Sequence, residues 1–325
     1  MSRLARFLTF AACLASGFAA EVVQRDTTDT SVHVGGHAPS RTVASMALVV
    51  FVQSAVVSLI HFFWVRPYKP FMLNYTLGML AMSAGFVLRS LDHSAPFQLW
   101  KFIAWDMLLL LGPCLFVLTD SFLFGHLIKT FDTDVLYRCL VISPSRVLPI
   151  FVGGELLNIM LLGAGGGLTV SQNDSLAKVG SKIAMVGFIF QALELVFFTY
   201  TLITFASRVA NHYPQVWKPD NMEPLKLLSA RPIENWRLLV YMIAFTSVGL
   251  TVRSIYRVAE FGAGYNSSVA TRELFFYIFD AVPLAMTTSL FITLWPTRFL
   301  NARGQQSLRG GPSAQELKPQ GFTPA

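Results

Sequence analysis

The sequence predicts an all-α fold: a polytopic bundle of seven transmembrane helices, with the N-terminus outside and the C-terminus in the cytoplasm. Three observations carry that expectation. Of 325 residues, 54% are hydrophobic and 13% charged, about half the charge of an ordinary soluble domain. Mean hydropathy is +0.53. The apolar residues, 28 phenylalanines among them, come in long runs rather than in the periods of half-buried elements. A spanning helix needs about 20 mostly apolar residues, so a chain of this length holds one bundle and short loops. Large extramembrane domains are excluded.

In chain order, residues 1–20 read as a secretory signal peptide: Arg3 and Arg6, the apolar stretch Phe7 to Ala15, then small residues through Ala19 and Ala20. An uncleaved first span is the alternative reading. Residues 21–42 are polar and Thr-rich, the composition of a disordered external tail. Seven apolar segments follow at 43–65, 71–88, 100–128, 147–167, 183–206, 236–256 and 274–295. The turn from Arg66 to Pro70 is short enough to make the first two spans antiparallel neighbours. Gly163 to Gly167 ends the fourth span and reads as a close-packing segment, since no Lys-Ser/Thr pair follows to make a phosphate loop. Pro113, Pro149 and Pro283 fall inside spans, where each removes a helix hydrogen bond. Residues 296–325, rich in Gly, Gln and Pro, read as a disordered cytoplasmic tail.

Orientation follows from charge. Basic residues are more numerous in the segments that an N-out topology places inside than in those it places outside. The formal net charge of +7 is scattered over loops and is explained by orientation, not by nucleic acid. The sequons at Asn173 and Asn266 fall in loops on the outer side, which marks both as glycosylation candidates. Cys13, Cys114 and Cys139 lie in the leader, a span and an inner loop, so neither an external disulfide nor a thiolate metal site is expected.

Ionisable groups inside a bilayer are costly, at least about 2.5 to 3.5 kcal/mol each on insertion scales, and are functional candidates by default. Asp106, Asp120, Glu155, Glu194 and Asp280 all fall within apolar spans. Glu155 and Glu194 come near mid-membrane, where transporters hold substrate or coupling ions, and Gln191 shares a face with Glu194. Asp106 and Asp120, four turns apart, share one side of the third span. These five residues form the expected substrate pathway, with hydrogen-bonded structural acids as the alternative. In the last two spans, Arg253, Arg257 and Glu260 share one face, and Glu273, Tyr277 and Asp280 share another. Equal depth suggests pairing Arg253 with Asp280 and Arg257 with Glu273, as a gate or simply as a clamp between helices.

An enzyme needs more. The six histidines show no metal-binding spacing, and no nucleophile elbow is present. No catalytic residue, metal or cofactor is expected.

The segment Arg253-Ser-Ile-Tyr-Arg-Val-Ala-Glu-Phe261, then Gly264-Tyr-Asn266, Glu273, Tyr277, Phe279 and Asp280, resembles the signature of the fungal RTA-like lipid-translocating exporters, the aminocholesterol-resistance group. Gly85 to Arg89, Gly112-Pro113, Gly125, Gly154-Glu155 leading to Gly165-Gly-Gly-Leu168, and Gln191 match the same pattern. The resemblance covers about Thr42 to Trp295. It implies seven spans with the N-terminus outside, and stress or toxin resistance through movement of amphipathic lipids. Departures cluster near the expected pathway: Glu155 stands where the family has aspartate, Leu162 where it has glutamine, and His126 where it has arginine, while Asp120 and Glu194 are additions.

The expected function is export of a sphingoid-base or sterol-amine type of compound, with membrane lipids and an amphipathic small molecule as partners. A receptor or membrane stress sensor is the alternative, since it shares the seven-span plan. The expected location is the plasma membrane, with the endoplasmic reticulum or vacuole as alternatives.

Overall fold

The computed structural model describes residues 41–65, 69–92, 99–169, 173–217, 235–263 and 273–300. The expectations for the signal peptide, most of the external tail, Asn266 and residues 301–325 lie outside these. The described residues are helical without strands. Seven long runs follow in order: α1 Arg41–Trp64, α2 Met72–Asp92, α3 Leu99–Ile128, α4 Pro144–Thr169, α5 Asp174–His212, α6 Trp236–Ala263, and α7. The last is built from Glu273–Phe276, a π-helical turn Tyr277–Ala281, and Val282–Leu294. Short helices at Thr133–Cys139 and Pro214–Trp217 join α3 to α4 and follow α5.

Among the described residues, six helices are long and apolar enough to cross a membrane: α1, α3, α4, α5, α6 and α7. The 21-residue α2 lies packed between α1 and α3, but Asn74, Thr76 and Arg89 dilute its apolar character.

Several helices outrun the apolar segments that announced them. At 39 residues α5 is about 58 Å long, nearly twice a bilayer core. Its first turns are polar and begin where Asn173 caps the helix, its side chain accepting from Ser175 N at 3.0 Å. Hydropathy marks where a helix meets hydrocarbon; capping marks where the helix starts. Similarly, α4 begins at Pro144, whose fixed φ suits a first helical turn.

The tail expectation also needs correcting at its start. The chain turns at Trp295, the one non-glycine with positive φ (40°) among the described residues. It then forms a 3-10 turn, Pro296–Leu300, whose five residues are all buried. Trp295 stacks on His61 at 5.2 Å and meets Tyr75 edge-on. This aromatic contact holds the segment against the end of the bundle. Composition reads only the polar residues that follow.

The bundle is apolar outside and selectively polar inside. Val49, Ile60, Leu156, Met160, Leu193 and Val248 are exposed, whereas Arg253, Glu155, Asn158, Gln191 and Asp120 are almost wholly buried. That inversion is what a lipid solvent dictates: apolar side chains lose nothing by facing it, and polar ones must find partners within.

Glycine sets the α4–α5 approach. A Cβ on Gly180 would lie 2.5 Å from Thr169 N and 2.7 Å from Gly165 O, and one on Gly165 would lie 2.5 Å from Ala184 N. Backbone meets backbone there, so no side chain can yield. Gly180→Val should therefore lower the thermal midpoint of detergent-purified protein, at a cost of about 1–3 kcal/mol. Gly153→Ala, where a Cβ meets nothing within 4 Å, should leave it unchanged. Equal midpoints for both variants would contradict this packing.

Candidate functional site

A buried stripe runs along α6. Thr246, Ser247, Leu250, Arg253, Ser254 and Arg257 are all buried, and their spacing of three and four puts them on one helical face. From Thr246 to Arg257 the stripe rises about 16 Å, roughly half the hydrocarbon thickness. Three polar groups meet it at successive levels.

Nearest the C-terminal end of α6 lies an ion network. Arg253 Nε lies 2.5 Å from Asp280 Oδ1, and its Nη2 donates to Leu109 O at 2.8 Å. Arg257 Nη2 donates to the other oxygen of Asp280, and its Nη1 donates to Glu260 Oε2 at 2.9 Å. One carboxylate on α7 therefore holds two arginines of α6. Phe276 stacks under Arg89 at 4.5 Å and under Arg257 at 5.3 Å, and Trp105 faces Arg89 at 4.7 Å. Asp106 lies within electrostatic reach of Arg257 and Arg89. With Asp106, Glu260 and Asp280 against Arg89, Arg253 and Arg257, the charges balance, as burial demands.

The backbone of α7 explains the reach of Asp280. Pro283 has no N–H for the carbonyl four residues back, and the preceding turn widens so that Val282 N bonds Tyr277 O. Such π turns concentrate at functional positions; this one carries Asp280. The expected pairing of Arg253 with Asp280 is thus present, while Arg257 takes Asp280 and Glu260. The side chain of Glu273 lies outside the described residues. Tyr277, buried, packs edge-on against Phe276 at 5.2 Å.

The middle group draws on four helices. Glu155 Oε1 accepts from Gln191 Nε2 and from Asn158 Nδ2, each at 3.4 Å. Gln191 Oε1 accepts from Ser254 Oγ at 3.1 Å, and Cys114 Sγ receives Gln191 Nε2 at 3.6 Å. Glu194 lies across Gly154: a Cβ there would sit 2.5 Å from its Oε1. Both oxygens of Glu194, Glu155 Oε2 and Asn158 Oδ1 are buried without a hydrogen-bond partner.

The third level holds Asp120, whose Oδ2 accepts from Thr246 Oγ1 at 2.7 Å while Oδ1 has no partner. The five expected pathway residues therefore do not form one cluster. Asp106 and Asp120 are about 21 Å apart along α3; the first belongs with the arginines, the second with Thr246. Glu155 and Gln191 are in direct contact, with Glu194 beside them. Sequence reading missed Asn158, Cys114, Ser254 and Arg89. Asn158 carried a usable signal, as a primary amide in an apolar span three residues after Glu155. Among the described residues, no group of three or more His, Cys, Asp or Glu is placed to hold a metal ion.

The family model described as "RTA1 like protein" matches residues 75–303, which takes in the ion network, the glutamate cluster and the α6 stripe. The chain belongs to the RTA1-like family. It is accordingly an integral, multi-pass membrane protein. Among curated relatives from Saccharomyces cerevisiae, it is 27% identical to Protein RTM1 over 66% of this chain and 64% of that protein. It is 26% identical to Protoporphyrin uptake protein 1 over 67% of this chain and 66% of that protein. It is 24% identical to Sphingoid long-chain base transporter RSB1 of strain YJM789, over 63% of this chain and 58% of that protein. The chain thus spans a little under two thirds of the length of these relatives. No solved structure matches.

Asymmetry in the ion network gives a test within this RTA1-like chain. Asp280→Ala leaves buried Arg253 without a carboxylate and Arg257 with Glu260 alone, and should cost at least about 3–5 kcal/mol. Arg253→Met leaves Asp280 with Arg257 and should cost less. Thermal midpoints in one detergent check the ordering, and a reversed order would contradict the sharing of Asp280.

Proposed function

We propose that this protein is a translocator and exporter of amphipathic lipids with a cationic head group, of the sphingoid-base or sterol-amine type, acting in stress or toxin resistance. In this reading α2 is a seventh span, the N-terminus faces outside, and the chain performs no chemical step. Its expected location is the plasma membrane.

The observation that carries the reading is the middle group. Glu155 and Glu194 sit between spans, and Glu155 Oε2 and both oxygens of Glu194 are buried without a protein donor. Carboxylate oxygens held without a cation in low dielectric attract an ammonium strongly. Phe188 shares a buried apolar cluster with Cys114 of that group, a surround that suits an acyl chain. A relative named as a sphingoid long-chain base transporter and another named for protoporphyrin uptake support movement of bulky amphipathic compounds.

The mechanism assigned to this geometry is alternating access. The glutamate level receives the head group, and the Arg253, Arg257, Glu260, Asp280 network acts as the barrier toward the end where α6 terminates. Breaking that barrier requires Asp280 to release Arg257, which keeps Glu260, while holding Arg253, so that neither arginine loses its last carboxylate.

Cells expressing the protein should release labelled sphingoid base faster than empty cells. The double variant Glu155→Gln, Glu194→Gln, matched for surface level, should fall to the empty-cell rate. Unchanged release by the double variant would remove the glutamates from the pathway, and equal release by all three would overturn transport of this class.

A further inference from the structure

The translocator reading leaves open what drives net movement, and the glutamate level contains a candidate. Glu194 lies within electrostatic reach of Glu155, its carboxylate seated in the gap that Gly154 leaves. The side chains grouped around Glu155 can be named from each packed helix. From α3 comes Cys114; from α4, Asn158; from α5, Gln191; and from α6, Ser254. None is a cation. The guanidinium of Arg253 reaches Cys114 electrostatically but is held by Asp280 and Leu109 O.

Two buried carboxylates within electrostatic reach of one another, with no cation beside them, resist ionising together. One of them must carry a proton or take up a positive ligand. Asn158 adds an independent sign. Its residue is fully buried, its amide nitrogen donates into the cluster at 3.4 Å, and its Oδ1 is left without a donor. A buried acceptor of that kind is costly, and a carboxylic O–H is a donor able to satisfy it.

The surroundings favour a proton over sodium. A sodium site calls for oxygens on all sides, often from unwound helix carbonyls. Here α4 and α5 run as helices past the cluster, which keeps their carbonyls in helical bonds. Gln191 and Asn158 also turn N–H groups toward Glu155 Oε1, where a metal would need acceptors. Glu194 has a partly exposed stem beside the exposed Leu193 and a buried carboxylate. It is the outer member of the pair.

We propose that Glu155 and Glu194 form a proton-exchange site that couples movement of a cationic amphiphile to movement of one proton in the opposite direction. This rests on the translocator reading. As the ammonium docks, the acid O–H gives its proton to water and the positive charge takes its place beside the carboxylate. On the other side of the membrane a proton from water replaces the departing ammonium. The charge of the site is the same before and after, and no bond other than O–H is made or broken.

The test uses purified full-length protein in liposomes, with a fluorescent long-chain quaternary ammonium as probe. The charge of that probe does not titrate, so a pH gradient cannot drive it unaided. A gradient of one unit should concentrate the probe relative to protein-free vesicles, toward the roughly tenfold limit of one-for-one exchange. A protonophore should abolish the effect, and E194Q protein should not concentrate the probe. Driving by a sodium gradient, or movement indifferent to pH, would overturn proton coupling while leaving translocation standing. No probe movement under any gradient would overturn the coupling, and the release of labelled sphingoid base from cells then decides translocation separately. A second readout needs no variant. A carboxylic-acid carbonyl band in the infrared spectrum of the unmodified protein at neutral pH should diminish with saturating probe, and a band that ignores the probe would overturn the proposal.

Discussion

The bundle depends on one constraint: positive charge buried in hydrocarbon must be neutralised at contact distance. Asp280 does this for both Arg253 and Arg257, and Glu260 pairs with Nη1 of Arg257. Because Asp280 must reach two residues one turn apart on α6, α7 cannot sit at an arbitrary rotation or height. The π turn at Tyr277–Ala281 supplies the local widening that places it. The same demand extends to α2 and α3 through the stacking of Arg89 on Phe276 and Trp105. Four helices are thereby fixed relative to one another by charge as well as by packing.

Against that rigid level, the glutamate level is under-satisfied. Ser254, one residue from Arg253, reaches Gln191 and through it Glu155, so the two levels share α6 as a common wall. A shift of α6 that disturbs one must be felt by the other. This is the arrangement expected of a barrier linked to a binding level: opposite charges paired in one set, and carboxylate oxygens with neither donor nor cation in the next. The close glycine contact of α4 with α5 keeps the glutamates on those two helices at short range.

Much of this was legible in the sequence because the cost of a charge in lipid is high enough to read residue by residue. Arg253 and Asp280 were paired from helical spacing and depth together, and the structure has that pair. Glu155 and Glu194 were placed together near mid-membrane, with Gln191 on the face of Glu194; the contact of Gln191 with Glu155 came from the structure. That Arg257 also takes Asp280 was not announced by a 3.6-residue period carried through Tyr277 and Asp280, where the helix is wider; the side chain of Glu273, its expected partner, lies outside the described residues. Asp106 and Asp120 were grouped from their shared face, a relation that says nothing about which neighbouring helix each one meets. The long ends of α5 and the buried turn Pro296–Leu300 escaped because hydropathy reports on hydrocarbon, while capping, aromatic stacking and backbone turns decide where structure continues.

The central claim is that the interior seam at Glu155, Gln191 and Ser254 is the substrate path. The most direct measurement is photo-crosslinking with a sphingoid base that carries a photoreactive group next to its amine, followed by peptide mapping of the adducts. The account expects labelling on α4, α5 and α6 around Glu155, Gln191 and Ser254, reduced by excess unlabelled base. Labelling confined to lipid-facing positions such as Leu193, Phe197 and Val248, which are exposed on the outside of the bundle, would contradict it.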